Sequence, residues 1–80
     1  MYTADVKVML KDGIADPQGQ TIERALPALG YDAVSEVRVG KRITLHVEAS
    51  DSGEAHRRVV EMCDRLLANP VIETYEVEIT

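Results

Sequence analysis

Apolar and polar residues alternate near the start of the chain: Ala4, Val6, Val8 and Leu10 take one side, and Asp5, Lys7, Met9 and Lys11 the other. A period of two carrying β-branched residues predicts a strand with one buried face. Asp12-Gly13 ends it, because glycine supplies backbone conformations that a strand cannot continue through. Asp16-Pro17 then opens a helix. The aspartate can cap free N–H groups, and the proline suits the first helical position, where its missing N–H is no loss. Ile22, Ala25, Leu26 and Leu29 follow within one stripe, and Gly30 is a natural C-terminal stop. Pro27 sits deep in this helix and predicts a kink, or an early end near Leu26.

Residues Val34 to Ala49 read as two strands, with Val37 and Val39 in one phase and Ile43, Leu45 and Val47 in the next run. Placing all five on one face needs an odd-length connection such as Gly40-Lys41-Arg42. The pattern therefore predicts a three-residue turn or a bulge near Gly40. Asp51-Ser52-Gly53-Glu54 resembles a capping box, and behind it Ala55, Val59, Met62, Cys63 and Leu66 form a helical stripe. Val60 and Leu67 widen the stripe, which fits either a subunit contact or a deep seat on the sheet. Asn69-Pro70 ends the helix, and a last strand runs from Val71 to Ile79, with Tyr75, Val77 and Ile79 on one side. The order β-α-β-β-α-β with right-handed crossovers predicts an α+β, ferredoxin-like sandwich in a single domain, residues 1–80. An antiparallel sheet would carry two helices on one face.

Composition adds constraints to that frame. Three tyrosines are the only aromatics, so the core must be aliphatic. A chain of 80 residues buries roughly 60–65% of the surface its unfolded form exposes, and self-association is a common remedy for so thin a core. The formal net charge of −5 disfavours nucleic acid and anionic membrane as partners. Cys63 is the only cysteine, which excludes an internal disulfide and fits a reducing compartment. Met1 to Lys7 lacks a basic region leading into a long apolar run, so the expected setting is the cytoplasm.

Candidate chemistry is sparse. His56 and Cys63 share a helix side, but two ligands do not make a closed metal site. Cys63 falls in the apolar stripe, where burial makes a thiol inert. The loop after the first strand, Lys11 to Asp16, holds two carboxylates, the wrong charge for an acylphosphatase-like phosphate cradle. Base-stacking Phe or Trp is absent, as is any Gly-rich nucleotide loop. No catalytic, metal or cofactor-binding residue is expected. One feature remains, the basic cluster Arg38, Lys41 and Arg42 at the expected hairpin tip. It suits either docking to an acidic surface or a solvated turn that keeps an edge from aggregating.

Three stretches together resemble one family. Asp16-Pro17-Gln18-Gly19, Val37-Arg38-Val39-Gly40-Lys41, and the run Cys63 to Glu73 with its Leu-Leu-Ala-Asn-Pro-Val-Ile-Glu, followed by Tyr75, are similar to PurS. That family is the small subunit of phosphoribosylformylglycinamidine synthase. The likeness spans nearly the whole chain. Asp12 stands where the family often has Pro, and Arg42 where an aromatic or aliphatic residue is common.

The resemblance implies a subunit of an ATP- and glutamine-dependent enzyme of de novo purine biosynthesis. That enzyme converts formylglycinamide ribonucleotide to formylglycinamidine ribonucleotide. A glutaminase subunit frees ammonia, and a large synthetase subunit uses ATP and Mg. The small subunit dimerises or forms tetramers and bridges the other two. Its characteristic residues map here to Asp16, Pro17, Gly19, Arg38, Gly40, Lys41, Asn69, Pro70 and Tyr75, several of them for shape. Arg38, Lys41 and Arg42 are the candidates for partner contact. An alternative is a free-standing ACT-like regulatory domain that binds a small ligand on the same element order. A small acyl-phosphate hydrolase is a third class.

Overall fold

β1 (Tyr2–Leu10) is the centre of a three-stranded antiparallel sheet, with β2 (Lys41–Val47) on one side and β3 (Glu73–Ile79) on the other. In the computed structural model, which describes residues 1–80, Val6 faces Ile43 across one ladder and Val77 across the other. The expected alternation of β1 holds: Ala4, Val6 and Val8 are buried, whereas Lys7 and Met9 are exposed. The helix α2 (Ser52–Met62) lays Ala55 and Val59 on this face. With Cys63, Ala68 and Val47 they complete an aliphatic core. The fold is α+β and ferredoxin-like in class.

Local chemistry explains the helix ends. Asp16 accepts a hydrogen bond from the Gly19 N–H at 2.8 Å and starts α1 (Pro17–Ala25), with Pro17 in its first turn. α1 stops at Ala25, and residues Leu26–Leu29 continue as a 3₁₀ turn. Pro27 has no N–H for the i→i−4 ladder, so the helix ends early, as expected. Gly30 closes this unit at φ +94°, a conformation that needs glycine. At α2, Asp51 accepts from the Glu54 N–H at 2.7 Å. Glu54 reaches back to the Ser50 hydroxyl, so the capping box is shifted by one residue on its return half.

Three expectations are corrected. Val34 to Val39 forms no strand, and no hairpin turn lies at Gly40; the chain enters β2 at Lys41 without one. The hydrogen-bonding groups go elsewhere. Glu23 accepts the Val37 N–H at 2.9 Å, Asp16 accepts the Val39 N–H at 2.8 Å, and Glu36 breaks the run at φ +57°.

The second correction concerns the helical stripe. After Met62 the chain continues as a π-turn, Cys63–Leu67, sealed by an i→i+5 bond from the Ala68 N–H to the Cys63 carbonyl at 3.0 Å. A π-turn rotates less per residue than an α-turn. Leu67 and Ala68 therefore face the core, while Leu66 is swung out to 82% exposure and Met62 stays 36% exposed. The last strand also begins two residues later than expected, at Glu73.

α1 buries only Gly19. Ile22 is 40% exposed and Leu29 71%, and Tyr31 and Val34 beyond them are exposed too. The molecule is accordingly long, 52 × 25 × 14 Å, with a radius of gyration of 16.2 Å. A compact domain of this length has about 12 Å. No helix is long and apolar enough to cross a membrane.

Candidate functional site

The first motif, Asp16-Pro17-Gln18-Gly19, and the second, Val37 to Lys41, come together in space. Asp16 is nearly buried and uses both carboxylate oxygens: one caps α1 at Gly19, the other holds the Val39 N–H. These two amides, Val39 first, hold its carboxyl below the usual carboxylate range, and the Arg38 guanidinium at 3.8 Å adds to the effect. Gly19 is required by the crossing, since a Cβ there would overlap the Val37 carbonyl oxygen. The result is a latch made of side chains, joining α1 to the segment that precedes β2.

The basic cluster is divided by this latch. Arg38 turns toward the end of β1, donating to the Leu10 carbonyl at 2.9 Å and the Lys11 carbonyl at 3.3 Å, with Asp12 at 3.7 Å. Arg42 lies on the sheet face away from α2 and grips Asp5 with two nitrogens, the shorter contact being 2.6 Å. Asp5 is held low and Arg42 is raised by this pairing. Lys41 is exposed and makes no ion pair. It lines a shallow concavity of about 410 Å³ with Lys7, Arg42, Met9, Tyr75 and Glu76. Gly40 lies at its rim, where a Cβ would sit 2.6 Å from the Val8 carbonyl oxygen.

The third motif forms a corner. The Asn69 side chain accepts the Val71 N–H at 3.1 Å, and its carbonyl accepts the Glu73 N–H at 2.7 Å, which turns the chain into β3. The Pro70 carbonyl accepts the Lys11 ammonium at 2.8 Å, and the Ile72 carbonyl the Lys11 N–H at 2.8 Å, tying the corner to the end of β1. Tyr75 donates its hydroxyl to Asp64 at 2.7 Å and pins β3 to the π-turn. That carboxylate pushes the phenol up.

These groups hold backbone rather than react. Burial pushes the Cys63 thiol up, away from the nucleophilic thiolate, and the Asp64 carboxylate adds to the effect. His46 shares a hydrogen bond with Thr3 at 3.2 Å on an exposed edge, and His56 is exposed on α2. No three metal-ligating side chains converge. Asp16, Pro17, Gly19 and Gly40 thus lie at one end of the molecule, and Asn69, Pro70 and Tyr75 at the corner. Arg38 is absorbed into the latch, Arg42 lies on the outer side of the sheet beside Lys7, and Lys41, in register with Val8, stands between it and the latch. Inspection of the sequence missed Asp5, Glu23 and Asp64. Their carboxylates gain meaning only from partners 37, 14 and 11 residues away.

Comparison with known proteins agrees with the motifs. The family model for PurS, phosphoribosylformylglycinamidine (FGAM) synthase, matches residues 3–80. PurS subunits of that synthase from Synechocystis sp. and Methanocaldococcus jannaschii are 47% and 44% identical over 79 residues. Each alignment spans 99% of this chain, with 79% of the first relative and 95% of the second. The crystal structure of the M. jannaschii PurS superposes with a TM-score of 0.90, covering 100% of this chain and 96% of that one. The structure of PurLQS from Thermotoga maritima contains a chain 38% identical, TM-score 0.89, over 99% of this chain and 96% of that one.

Proposed function

The chain belongs to the PurS family and is a subunit of FGAM synthase, a ligase complex; from that premise we propose that its own task is assembly, bridging the glutaminase and large synthetase subunits without supplying a catalytic group. The carrying observation is the use to which the family's motif residues are put. Asp16, Gly19, Gly40, Asn69 and Tyr75 each fix backbone or permit a close approach, and none converges on a nucleophile and base. ATP and Mg, on this reading, are handled by the large subunit, and the complex works in the cytoplasm.

The chain also assembles with itself, as a dimer or tetramer. Its accessible surface is 5759 Å². A compact monomer of this mass exposes about 4,800 Å². The excess, about 1,000 Å², is the size of one side of a standard protein interface. Ile22, Leu29, Tyr31 and Val34 are among the apolar residues left uncovered.

Affinity purification of the native protein with glutamine present tests the bridging role. Recovery of both larger subunits is expected; recovery of neither would overturn it. Deletion of the gene should impose a purine requirement. Saturable binding of an amino acid by the isolated protein would favour the ACT-like alternative.

A further inference from the structure

The edge of the sheet along β2 has no strand beside it, and its backbone shows what fits there. β1 gives the N–H and C=O groups of its odd residues to β3, as the reciprocal Thr3–Thr80 bonds at 3.1 and 2.9 Å and the Lys11 N–H on the Ile72 carbonyl at 2.8 Å show. Its even residues therefore bond β2, opposite Lys41, Ile43, Leu45 and Val47. Arg42, Thr44 and His46 consequently point their backbone groups outward, along an edge that no strand covers. The row continues upstream. The Val37 and Val39 N–H groups turn to Glu23 and Asp16, so those of Arg38 and Gly40 turn the other way, and neither is bonded within the chain. No turn separates Val37 from β2. Alternation alone then sets Val37, Val39, Ile43, Leu45 and Val47 on one side, with no need of the odd-length hairpin connection.

We propose that this edge is the seam between two copies of the chain: residues Val37 to Leu45 of each pair antiparallel across a two-fold axis, joining two three-stranded sheets into one. This rests on the self-association proposed above and names its surface. Outward-pointing residues must lie opposite one another, so even faces even, and the apolar odd residues meet on one side. Charge selects the register. With the axis at Lys41, Arg38 meets Thr44, Gly40 meets Arg42, Val39 meets Ile43 and Val37 meets Leu45 of the second copy. An axis at Gly40 sets Arg38 against Arg42, and one at Arg42 sets that residue against itself. Farther upstream, Glu36 with its φ of +57° enters the ladder. The two Lys41 side chains do meet at the axis; Asp16 and Glu73 line the same concavity as Lys41 and offset their charge. The β3 edge is a poorer seam, because Glu73, Glu76 and Glu78 stand there without a cation in the strand, so two copies joined on it set acid near acid. Joining β2 to β3 of a second copy is head-to-tail and runs on into a filament. Since Asp16 and Glu23 tie α1 to the paired segment, the seam also carries α1 of each copy alongside β2 of the other, where Ile43 and Leu45 are only half-buried.

The experiment compares the full-length wild type with Thr44→Pro and with the double variant Val39→Cys, Ile43→Cys. Proline at Thr44 removes an outward N–H and none that bonds β1, so it blocks the seam and spares the chain's own sheet. Across the seam, positions 39 and 43 form a non-hydrogen-bonded pair with Cα atoms about 4.5 Å apart, within reach of a disulfide. Within one chain they lie about 13 Å apart along the strand and cannot be bridged. Light scattering at about 100 μM should give the wild type at least the dimer mass, and Thr44→Pro half the wild-type mass or less with its circular dichroism unchanged. The oxidised double variant should run as a covalent dimer on a non-reducing gel, and neither single-cysteine variant should, since Cys63 is buried in all of them. A folded Thr44→Pro that keeps the wild-type mass overturns the proposal, as does a double variant that forms no covalent dimer. If Thr44→Pro does not fold, the cross-link alone decides. A monomeric wild type overturns the self-association reading and the seam together, before any variant is compared; an oligomeric wild type without the cross-link removes the seam alone.

Discussion

Asp16 and Gly19 concentrate more of the architecture than any other pair of residues. A β-carbon at Gly19 meets a carbonyl oxygen of the crossing segment, and backbone cannot give way as a flexible side chain can. Gly19→Ala should therefore cost about 2 kcal/mol or more in urea unfolding, despite raising intrinsic helix propensity. Asp16 sets a pH dependence whose sign is fixed by its partners. Two amides hold its folded pKa below the unfolded value, so the stability it supplies is complete above about pH 4 and fades as pH falls through the folded pKa. Asp16→Asn should be less stable than wild type at pH 7, and its stability should fall less steeply as pH drops below about 4. Asp5, lowered by Arg42, and Glu54, lowered by Ser50, titrate in the same window, so the slope shrinks without vanishing. Unfolding curves at a series of pH values read both effects; identical slopes would show that the latch is not made in solution.

Among the elements, α2 separates what hydrophobic spacing encodes from what backbone geometry decides. Ala55, Val59 and Cys63 are at ordinary helical spacing, and the core holds all three. Beyond them the spacing favours Leu66, whereas the π-turn delivers Leu67. The two single substitutions therefore part company: Leu67→Ala should cost about 2 kcal/mol, and Leu66→Ala should stay within about 0.5 kcal/mol of wild type. Equal costs would mean that the helix continues as an α-turn.

The same contrast explains how far the chain could be read before its structure was known. Elements whose partners are near in sequence were legible: the alternation of β1, the caps at Asp16 and Asp51, the stop at Pro27 and Gly30, and the Asn69-Pro70 corner. The segment before β2 was misread as a strand because its valines have strand phase. Its amides answer instead to Asp16 and Glu23, and no local pattern records that. The candidate site was legible as motifs, yet not as geometry. Arg38 and Arg42, four apart in sequence, serve a carbonyl pair and Asp5 on separate surfaces.

At the scale of the whole molecule, the core is too small for the shape it supports. Eight buried apolar residues, all on β1, β2, α2 and the turn after it, stabilise the sheet end, whereas α1 buries a single glycine. A helix of nine residues is marginal in water by itself, so α1 needs cover that its own chain does not supply. If that cover is a second copy, folding and association are one equilibrium, and thermal stability must depend on concentration. Each tenfold dilution removes about 1.4 kcal/mol per dimer, or about 0.7 kcal/mol per chain, which for a domain of this size lowers Tm by roughly 3–5 °C. Replacing Ile22 and Leu29 with aspartate removes the apolar contact while leaving the sheet core intact. The double variant should run as a monomer, melt below the wild type and show a Tm independent of concentration. Differential scanning calorimetry from about 1 to 100 μM, with masses measured by light scattering, decides the matter. A wild type that is monomeric and constant in Tm across that range would show that α1 is held by its own chain, and that the uncovered arm awaits the larger subunits instead.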